Sequence, residues 1–301
     1  MPQVKANGIS IEYESFGRDS DPTILLIMGF SGQLTLWPVA LCEGLAAQGF
    51  RVIRFDNRDV GKSTHLTEKG APDIAGLMAK LAAGQTAEAA YSLDDMADDA
   101  AGLLSALGIK HAHIVGASMG GMIAQLFAAR HPGMTKSLVS IMSTTGRRDL
   151  PPARPEAMAA LMTPPASSSR DDRIAASVRT WRAIGSPGFR ASDAELRADA
   201  ESNVDRVPFE PTGIARQMAA IITAPPRNDI LKSVKAPALV IHGVDDPLVP
   251  VEGGRDTAAS IPGARIIEVP GMGHDFSTAL EPVLRRHIGD FVSGVEKKKA
   301  A

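Results

Sequence analysis

Apolar residues along this chain follow two patterns, short continuous runs and longer stretches in which they recur at helical spacing. The run Thr23–Met28 predicts a strand that is buried on both faces, and Arg51–Phe55 and Ala112–Val115 predict further strands. Between them, Trp37–Gln48 and Leu93–Leu107 have the periodicity of helices, and a glycine follows each. Strands that alternate with helices predict a parallel sheet with crossover helices, so we expect an α/β fold.

The rest of the chain repeats this alternation, with one interruption. From residue 146 to residue 231 the sequence has many prolines, clustered serines and helical fragments, and no convincing strand. We therefore expect a helical insert at 146–231 between two parts of one core, at 1–145 and 232–295, and a charged, disordered tail at 296–301. The remaining predicted elements are an edge hairpin at Ile9–Phe16, helices at Met119–Arg130, near Gly254–Ser260 and at Thr278–Val292, and strands at Leu138–Met142, Ala238–His242 and Arg265–Val269.

Composition narrows the function classes that such a core can serve. The chain has 301 residues, of which 44% are hydrophobic, and a formal net charge of −2. This size supports a large core, and the near-neutral charge argues against nucleic acid as the main partner. The single cysteine, Cys42, excludes an intrachain disulfide and a thiolate metal cluster. Because the start has no signal-peptide core and no apolar run approaches membrane-spanning length, we expect a cytoplasmic protein with no membrane partner; homo-oligomerisation stays open.

The most informative motif lies where a predicted strand meets a predicted helix. Gly116-Ala117-Ser118-Met119-Gly120 places a serine between two glycines at the spacing of a nucleophile elbow. A sharp, strained turn at Ser118 needs neighbours that are nearly free of side chains, and Gly116 and Gly120 meet that need. Such a turn exposes the serine hydroxyl at the end of the sheet, so Ser118 is the candidate nucleophile.

A serine hydroxyl needs a base to become a nucleophile, and the base needs an acid that orients it. With the serine on an elbow of this kind, the acid and then the histidine follow it along the chain. Asp246 follows the strand Ala238–His242, and His274 follows the strand Arg265–Val269, so both occupy loops at the carboxyl ends of strands. Asp245 is the alternative acid, although its spacing to Pro250 fits less well. His242 also ends a strand, which leaves a position near this site open to it.

Stabilising the negative charge of such a reaction requires two backbone N–H groups. Met119, directly after the nucleophile, is expected to supply one of them. The other is expected from the loop after Thr23–Met28, where Gly29 permits a close approach and Phe30 carries the better placed amide.

Two other polar motifs are interpreted as structural. Gly61-Lys62-Ser63-Thr64 ends like a phosphate-binding loop, but Asp56 replaces the upstream glycine that such a loop needs. We expect Asp56 and Arg58 to support the loop that follows their strand. The aspartates of the predicted helix Leu93–Leu107 have helical spacing, which favours a solvated face over a metal site, and we expect no metal and no cofactor. These aspartates are Asp94, Asp95, Asp98 and Asp99.

Taken together, these motifs resemble those of the α/β-hydrolase superfamily over nearly the whole chain. The residues that carry the resemblance are Met28-Gly29-Phe30, Asp56-x-Arg58-x-x-Gly61-x-Ser63, Gly116-x-Ser118-x-Gly120, Gly243-x-x-Asp246-x-x-x-Pro250 and Gly273-His274. Many members of the superfamily have His-Gly where this chain has Met28-Gly29. Trp37-Pro38, Trp181-Arg182 and Pro225-Pro226-Arg227 are similar to the aclacinomycin methylesterase-like group. The resemblance implies a mostly parallel eight-stranded sheet with helices on both faces, a triad of Ser118, Asp246 and His274, and a helical cap formed by the insert.

The function that this resemblance implies is a serine carboxylesterase, which hydrolyses small to medium esters, including methyl or aryl esters, through an acyl-enzyme. Gly29, Trp181 and Met218 are expected to contact the substrate. Further apolar candidates in the insert, each of which also suits its core, are Met158, Met162, Phe189 and Phe209. Cofactor-free haloperoxidases or perhydrolases and carbon–carbon bond hydrolases use the same triad, and a ligand-binding protein can keep the fold without catalysis, so the sequence leaves these alternatives open.

Overall fold

A mostly parallel sheet forms the centre of the molecule. The computed structural model describes residues 1–300. The strands are β1 (Gln3–Ala6), β2 (Ile9–Phe16), β3 (Thr23–Ile27), β4 (Arg51–Phe55), β5 (Ala112–Ala117), β6 (Thr135–Ile141), β7 (Ala238–Gly243) and β8 (Arg265–Val269). Their order is β1-β2-β4-β3-β5-β6-β7-β8. The pairs β1–β2 and β2–β4, at one edge, are antiparallel, and the remaining five pairs are parallel. The predicted eight-stranded, mostly parallel sheet is therefore confirmed.

Helices connect the parallel strands, and a group of them interrupts the alternation between β6 and β7. The helices are α1 (Val39–Ala46), α2 (Ile74–Ala82), α3 (Leu93–Ala106), α4 (Met119–Arg130), α5 (Pro155–Met162), α6 (Arg170–Ile184), α7 (Asp193–Arg206), α8 (Pro211–Thr223), α9 (Asn228–Leu231), α10 (Val251–Ser260) and α11 (Glu281–Ala300). Helices α5 to α9 all lie between β6 and β7, a segment without any strand. We call residues 146–231 the helical insert.

The strand β3 illustrates why the central strands are continuous apolar runs. All five of its residues are buried. Leu25 and Ile27 pack into the apolar cluster on one face of the sheet, whereas Ile24 and Leu26 pack into the cluster on the other face. Successive side chains of a strand point to opposite faces, so a strand that is covered on both sides needs apolar residues at every position. The sheet is thus a rigid platform for the loops at its ends.

Four local expectations differ from the structure. Helix α1 begins at Val39 rather than at Trp37, because Pro38 occupies its N-cap and the buried Trp37 ends a short turn. Asp99 does not lie on a solvated face: it is buried, and the guanidinium of Arg58 donates to both of its oxygens at 2.6 and 2.8 Å. Helix α2 is absent from the predicted elements.

The fourth difference concerns the end of the chain, where a disordered tail was expected from residue 296. Helix α11 instead continues to Ala300. Glu296 contributes to this extension, because its Oε1 accepts a hydrogen bond from Lys136 Nζ at 2.8 Å and lies 3.1 Å from His113 Nε2. These contacts with β5 and β6 attach the helix to the sheet beyond the last residue that periodicity assigned to it.

Candidate active site

Polar residues of four loops meet at the carboxyl ends of the central strands. Ser118 follows β5, Asp246 follows β7, His274 follows β8, and the loop of residues 28–32 follows β3. The carboxyl ends of parallel strands lie at one edge of a sheet, which is where open α/β sheets form their binding crevices. The topology therefore brings together residues that are more than 150 positions apart in the sequence, Ser118 and His274 among them.

Ser118 lies on a strained turn between β5 and α4. Its φ of 56° is in the left-handed region, which residues other than glycine rarely adopt. The turn depends on its glycines: a Cβ on Gly116 would lie 2.0 Å from the carbonyl oxygen of Gly120, and a Cβ on Gly120 would lie 2.0 Å from that of Ile27. The Ser118 amide donates to the Ile141 carbonyl at 2.9 Å, which attaches the strained residue to β6.

Ser118, His274 and Asp246 form a continuous chain of hydrogen bonds. His274 Nε2 lies 3.0 Å from Ser118 Oγ, and His274 Nδ1 lies 2.7 Å from Asp246 Oδ2. Because a carboxylate only accepts hydrogen bonds, the proton of the neutral imidazole lies on Nδ1 and the lone pair of Nε2 faces the serine hydroxyl. The other oxygen of Asp246 accepts the amides of Leu248 and Val249 at 2.9 and 2.8 Å, which fixes the carboxylate plane.

Asp245, the alternative acid, has a different partner. Its Oδ2 accepts the amide of Gly271 at 2.7 Å, and the side chain is half-buried. Asp245 thus connects the loop after β7 to the loop after β8 that carries His274. The structure therefore brings Asp246, and not Asp245, into contact with the imidazole.

The loop after β3 runs directly beside the nucleophile. A Cβ on Gly29 would lie 3.0 Å from Ser118 Cβ and 3.5 Å from Ser118 Oγ, so a residue without a side chain is needed here. Phe30, the next residue, is half-buried. On the other side of Ser118, Met119 is the first residue of α4, and the first amides of a helix have no acceptor within it. Phe30 and Met119, the two residues expected to supply the N–H donors, therefore each follow one of two residues, Gly29 and Ser118, that lie against each other.

The helical insert contacts the loop that carries His274. The amide of His274 donates to the Ile184 carbonyl at 2.8 Å, and the amide of Gly273 donates to Ser186 Oγ at 2.8 Å. Asp275, the residue after the histidine, accepts both the hydroxyl and the amide of Ser186. Burial raises the pKa of Asp275, and the two hydrogen bonds from Ser186 oppose that shift. No local sequence pattern marks Ser186, so its hydrogen bonds to the histidine loop could not be predicted from the sequence.

His242 stands on the far side of Asp246, as its position at the end of β7 suggested. It is fully buried, its Nε2 lies 2.8 Å from the Val249 carbonyl oxygen and 3.7 Å from Asp246 Oδ2, and its Nδ1 has no hydrogen-bond partner among the described residues. Burial lowers the pKa of His242, so the ring is neutral when the protein is folded at neutral pH.

The apolar residues of the insert that were expected near the substrate occupy different environments. Trp181 is half-buried in the last turn of α6, one turn before the Ile184 carbonyl that binds the histidine loop. Met218 is half-buried on α8. The other four are less well placed for a substrate: Met158 and Met162 are exposed, Phe189 packs against the core of the sheet, and Phe209 lies under the guanidinium of Arg173.

One residue that the sequence did not single out contacts the loop beside the nucleophile. Gln217, on α8, is fully buried, and its Oε1 accepts the amide of Ser31 at 2.9 Å. The available signal was the pair of polar residues Arg216 and Gln217 inside a mostly apolar helix, but this pattern does not reveal which loop either side chain reaches.

Comparison with known proteins identifies the family. The family model described as alpha/beta hydrolase fold matches residues 22–277. The chain belongs to the α/β-hydrolase family. This hydrolase is 27% identical to the rhodomycin D methylesterase DauP of Streptomyces sp. strain C5, an alignment that covers 92% of each chain. It is 26% identical to BpoC of Mycobacterium tuberculosis H37Rv, named as a candidate non-heme bromoperoxidase, over 88% of this chain and 91% of that one.

Solved structures have the same fold. The thermophilic esterase from Thermogutta terrifontis superposes with a TM-score of 0.71 at 23% identity, over 98% of this chain and 99% of the esterase. The resemblance to α/β hydrolases that the motifs indicated is confirmed. Within residues 1–300, no helix is long and apolar enough to cross a membrane, and no group of three or more His, Cys, Asp or Glu side chains is arranged to hold a metal ion.

Proposed function

We propose that this α/β hydrolase is a serine carboxylesterase with Ser118 as nucleophile, His274 as base and Asp246 as the acid. The observation that carries the proposal is the unbroken chain from Ser118 Oγ through the imidazole to Asp246, with distances of 3.0 and 2.7 Å, on a strained elbow beside two candidate N–H donors. Nucleophile, base and orienting acid within hydrogen-bond reach are the requirements for acyl transfer.

The proposed reaction has two halves. Ser118 Oγ attacks the ester carbonyl carbon while its proton moves to His274 Nε2, and the amides of Phe30 and Met119 hold the oxyanion. Collapse of the tetrahedral intermediate breaks the carbon–oxygen bond, and the leaving alkoxide takes the proton from Nε2. A water molecule then gives a proton to His274 Nε2 and attacks the acyl carbon. Collapse of this second intermediate breaks the bond from the acyl carbon to Oγ, Oγ takes the proton back from Nε2, and the carboxylic acid leaves.

The proposed substrates are small to medium carboxylic esters, including methyl esters, which enter between the core and the helical insert. The similarity to a rhodomycin D methylesterase over 92% of the chain supports methyl esters. The contacts of the insert with the loops of His274 and Ser31 support its role as a cap that covers the site. In that role, Trp181 and Met218 are the proposed apolar contacts for the substrate.

A second candidate function, perhydrolysis, is favoured by the similarity to BpoC. Hydrogen peroxide would replace water as the attacking group on the acyl-enzyme, and the peracid that it releases would oxidise halide. Peroxide-dependent halogenation measured beside ester hydrolysis, on the same preparation, decides between the two functions.

The test of the proposed function is Ser118→Ala, with Ser105→Ala on the exposed side of α3 as its control. On a panel of p-nitrophenyl and methyl esters, Ser118→Ala should lose about 10⁴- to 10⁶-fold in kcat, and Ser105→Ala should match the wild type. A fluorophosphonate should modify Ser118 and no other serine, as read by peptide mass spectrometry. More than a few per cent of residual activity, or modification of another serine, would refute the assignment.

A further inference from the structure

The loop beside the nucleophile ends in a tight turn whose conformation needs support. The amide of Gly32 donates to the carbonyl of Gly29 at 3.2 Å, so Phe30 and Ser31 are the central residues of a β-turn. Ser31 has a φ of 55°, the positive value that the second central residue of a type II turn requires. Glycine or asparagine normally fills that position, and a serine holds it only when its surroundings impose it.

The support comes from the helical insert. Gln217 on α8 is fully buried, its Oε1 accepts the Ser31 amide at 2.9 Å, and its Nε2 donates to the Arg58 carbonyl at 2.9 Å. The two bonds fix the orientation of the carboxamide, because the flipped group would place NH2 against an N–H and oxygen against a carbonyl. Gln217 therefore holds the peptide between Phe30 and Ser31 in one orientation.

Other hydrogen bonds hold the two ends of the loop after β3, whereas Gln217 binds the turn in its middle. Asn57 Nδ2 donates to the Met28 carbonyl at 2.8 Å, and the Leu34 amide donates to Asp56 Oδ1 at 2.7 Å. Both of these partners belong to the loop after β4. Removal of the Gln217 carboxamide should therefore leave the loop attached at its ends, while the Ser31 peptide becomes free to rotate to a negative φ and to move Phe30 with it.

We propose that Gln217 is a positioning residue for the oxyanion-binding turn: from the insert, its carboxamide holds Phe30 where its amide can reach the developing negative charge. This inference rests on the proposed function, since it assumes that the Phe30 amide is the second donor. It makes the insert part of the catalytic machinery and not only a cover, because the donor is aligned only while α8 is docked on the core. The hydrogen bonds of Gln217 go to the Ser31 amide and the Arg58 carbonyl, and not to the nucleophile or the base.

The test replaces Gln217 by methionine, which has a similar length and cannot make either hydrogen bond. Loss of a whole oxyanion donor costs about 10²- to 10³-fold in kcat, so a displaced donor should cost about 10- to 100-fold. The KM should stay within about threefold, because the turn acts on the transition state and not on substrate binding. Gln217→Glu keeps an acceptor for the Ser31 amide, so its kcat should exceed that of Gln217→Met.

The matched control is Gln33→Met. Gln33 also joins this loop to the insert, through Nε2 to the Asn203 carbonyl at 2.8 Å and through Oε1 from Arg206 at 2.6 Å, but it has no bond to the turn amide. Its kcat should therefore remain within about threefold of the wild type. Equal losses in the Gln33 and Gln217 variants would show that general attachment of the insert matters and would overturn the specific role of Gln217.

Two readouts separate this inference from the proposed function. The first is the rate of fluorophosphonate modification of Ser118, in which Oγ attacks phosphorus, fluoride leaves and the phosphoryl oxygen occupies the same N–H pair; it should fall with kcat in Gln217→Met. The second is hydrogen exchange of the peptide that contains Ser31, which should accelerate in that variant alone. If the wild type is modified by the fluorophosphonate but hydrolyses no ester, the proposed function is refuted. The role of Gln217 is then still tested by comparing the modification rates of the wild type and Gln217→Met. Unchanged rates and unchanged exchange overturn the inference.

Discussion

Replacing Asp246 by asparagine tests the orientation of the imidazole directly. In the variant, the side-chain oxygen should keep the position that accepts the amides of Leu248 and Val249, because the reverse orientation places NH2 against two N–H groups. The new NH2 then faces His274 Nδ1, where Asp246 Oδ2 is 2.7 Å away in the wild type. The ring must accept a hydrogen bond at Nδ1, so its proton moves to Nε2.

The size of the expected loss in kcat follows from the second hydrogen bond of the His274 ring. Nε2 lies 3.0 Å from Ser118 Oγ, and once it carries a proton it cannot accept the one that Ser118 must lose. The variant also lacks the negative charge that stabilises the imidazolium. The same change of tautomer in serine proteases lowers kcat by about 10⁴-fold, or about 5 kcal/mol of activation free energy, and we expect a loss of that order.

The assay compares kcat and KM for p-nitrophenyl butyrate in Asp246→Asn and Asp245→Asn. Asp245 accepts one amide, that of Gly271, from a half-buried position, so its variant should lose less than about tenfold. Circular dichroism and Tm establish that both variants are folded. A larger loss in Asp245→Asn, or more than about a tenth of the wild-type kcat in Asp246→Asn, would refute the assignment of the acid.

The second histidine, the buried ion pair and the insert give three further expectations. Burial lowers the pKa of His242 from its ordinary 6.5, so the unfolded chain binds more protons below that pH and the free energy of unfolding falls as the solution is acidified. In urea titrations from about pH 7 to pH 5, the free energy of unfolding should fall less for His242→Gln than for the wild type or for the exposed control His111→Gln. Equal falls in all three proteins would contradict this role of His242. The buried ion pair is that of Arg216 with Asp59, whose oxygens accept from the guanidinium at 2.7 and 2.8 Å. Arg216→Met leaves the buried Asp59 carboxylate without its cation and should cost about 3–5 kcal/mol in the same titration, whereas a cost below about 1 kcal/mol would mean that the pair is hydrated. Trp181→Ala or Met218→Ala should change the ratio of kcat/KM between bulky and small esters by about tenfold if the side chain lines the pocket, and should instead lower Tm with all esters reduced alike if it only fills the core of the insert.

The comparison of Asp99 with Asp246 illustrates how far local sequence can be trusted. Asp246 could be predicted because its chemistry is tied to a strand end and to a fixed spacing, both of which are properties of neighbouring residues. Asp99 was assigned to a solvated helical face, and periodicity alone cannot reveal that Arg58 arrives from another loop to pair with it. Buried ion pairs between distant residues therefore escape a reading of the sequence in which charged residues are assumed to be exposed.

The sequence by itself determined the α/β-hydrolase architecture, and it predicted Ser118 and His274 as nucleophile and base, with Asp246 favoured over Asp245 as the acid. Buried parallel strands must be apolar on both faces, and a strained elbow needs glycines at fixed positions, so both leave a local trace. Only the tertiary structure decided which aspartate meets the imidazole, how Ser186 holds the histidine loop, and that Gln217 supports the turn at Ser31 across 186 positions of sequence. These contacts arise where the insert packs on the core, and a single hydrogen bond between distant segments imposes no periodicity on either of them.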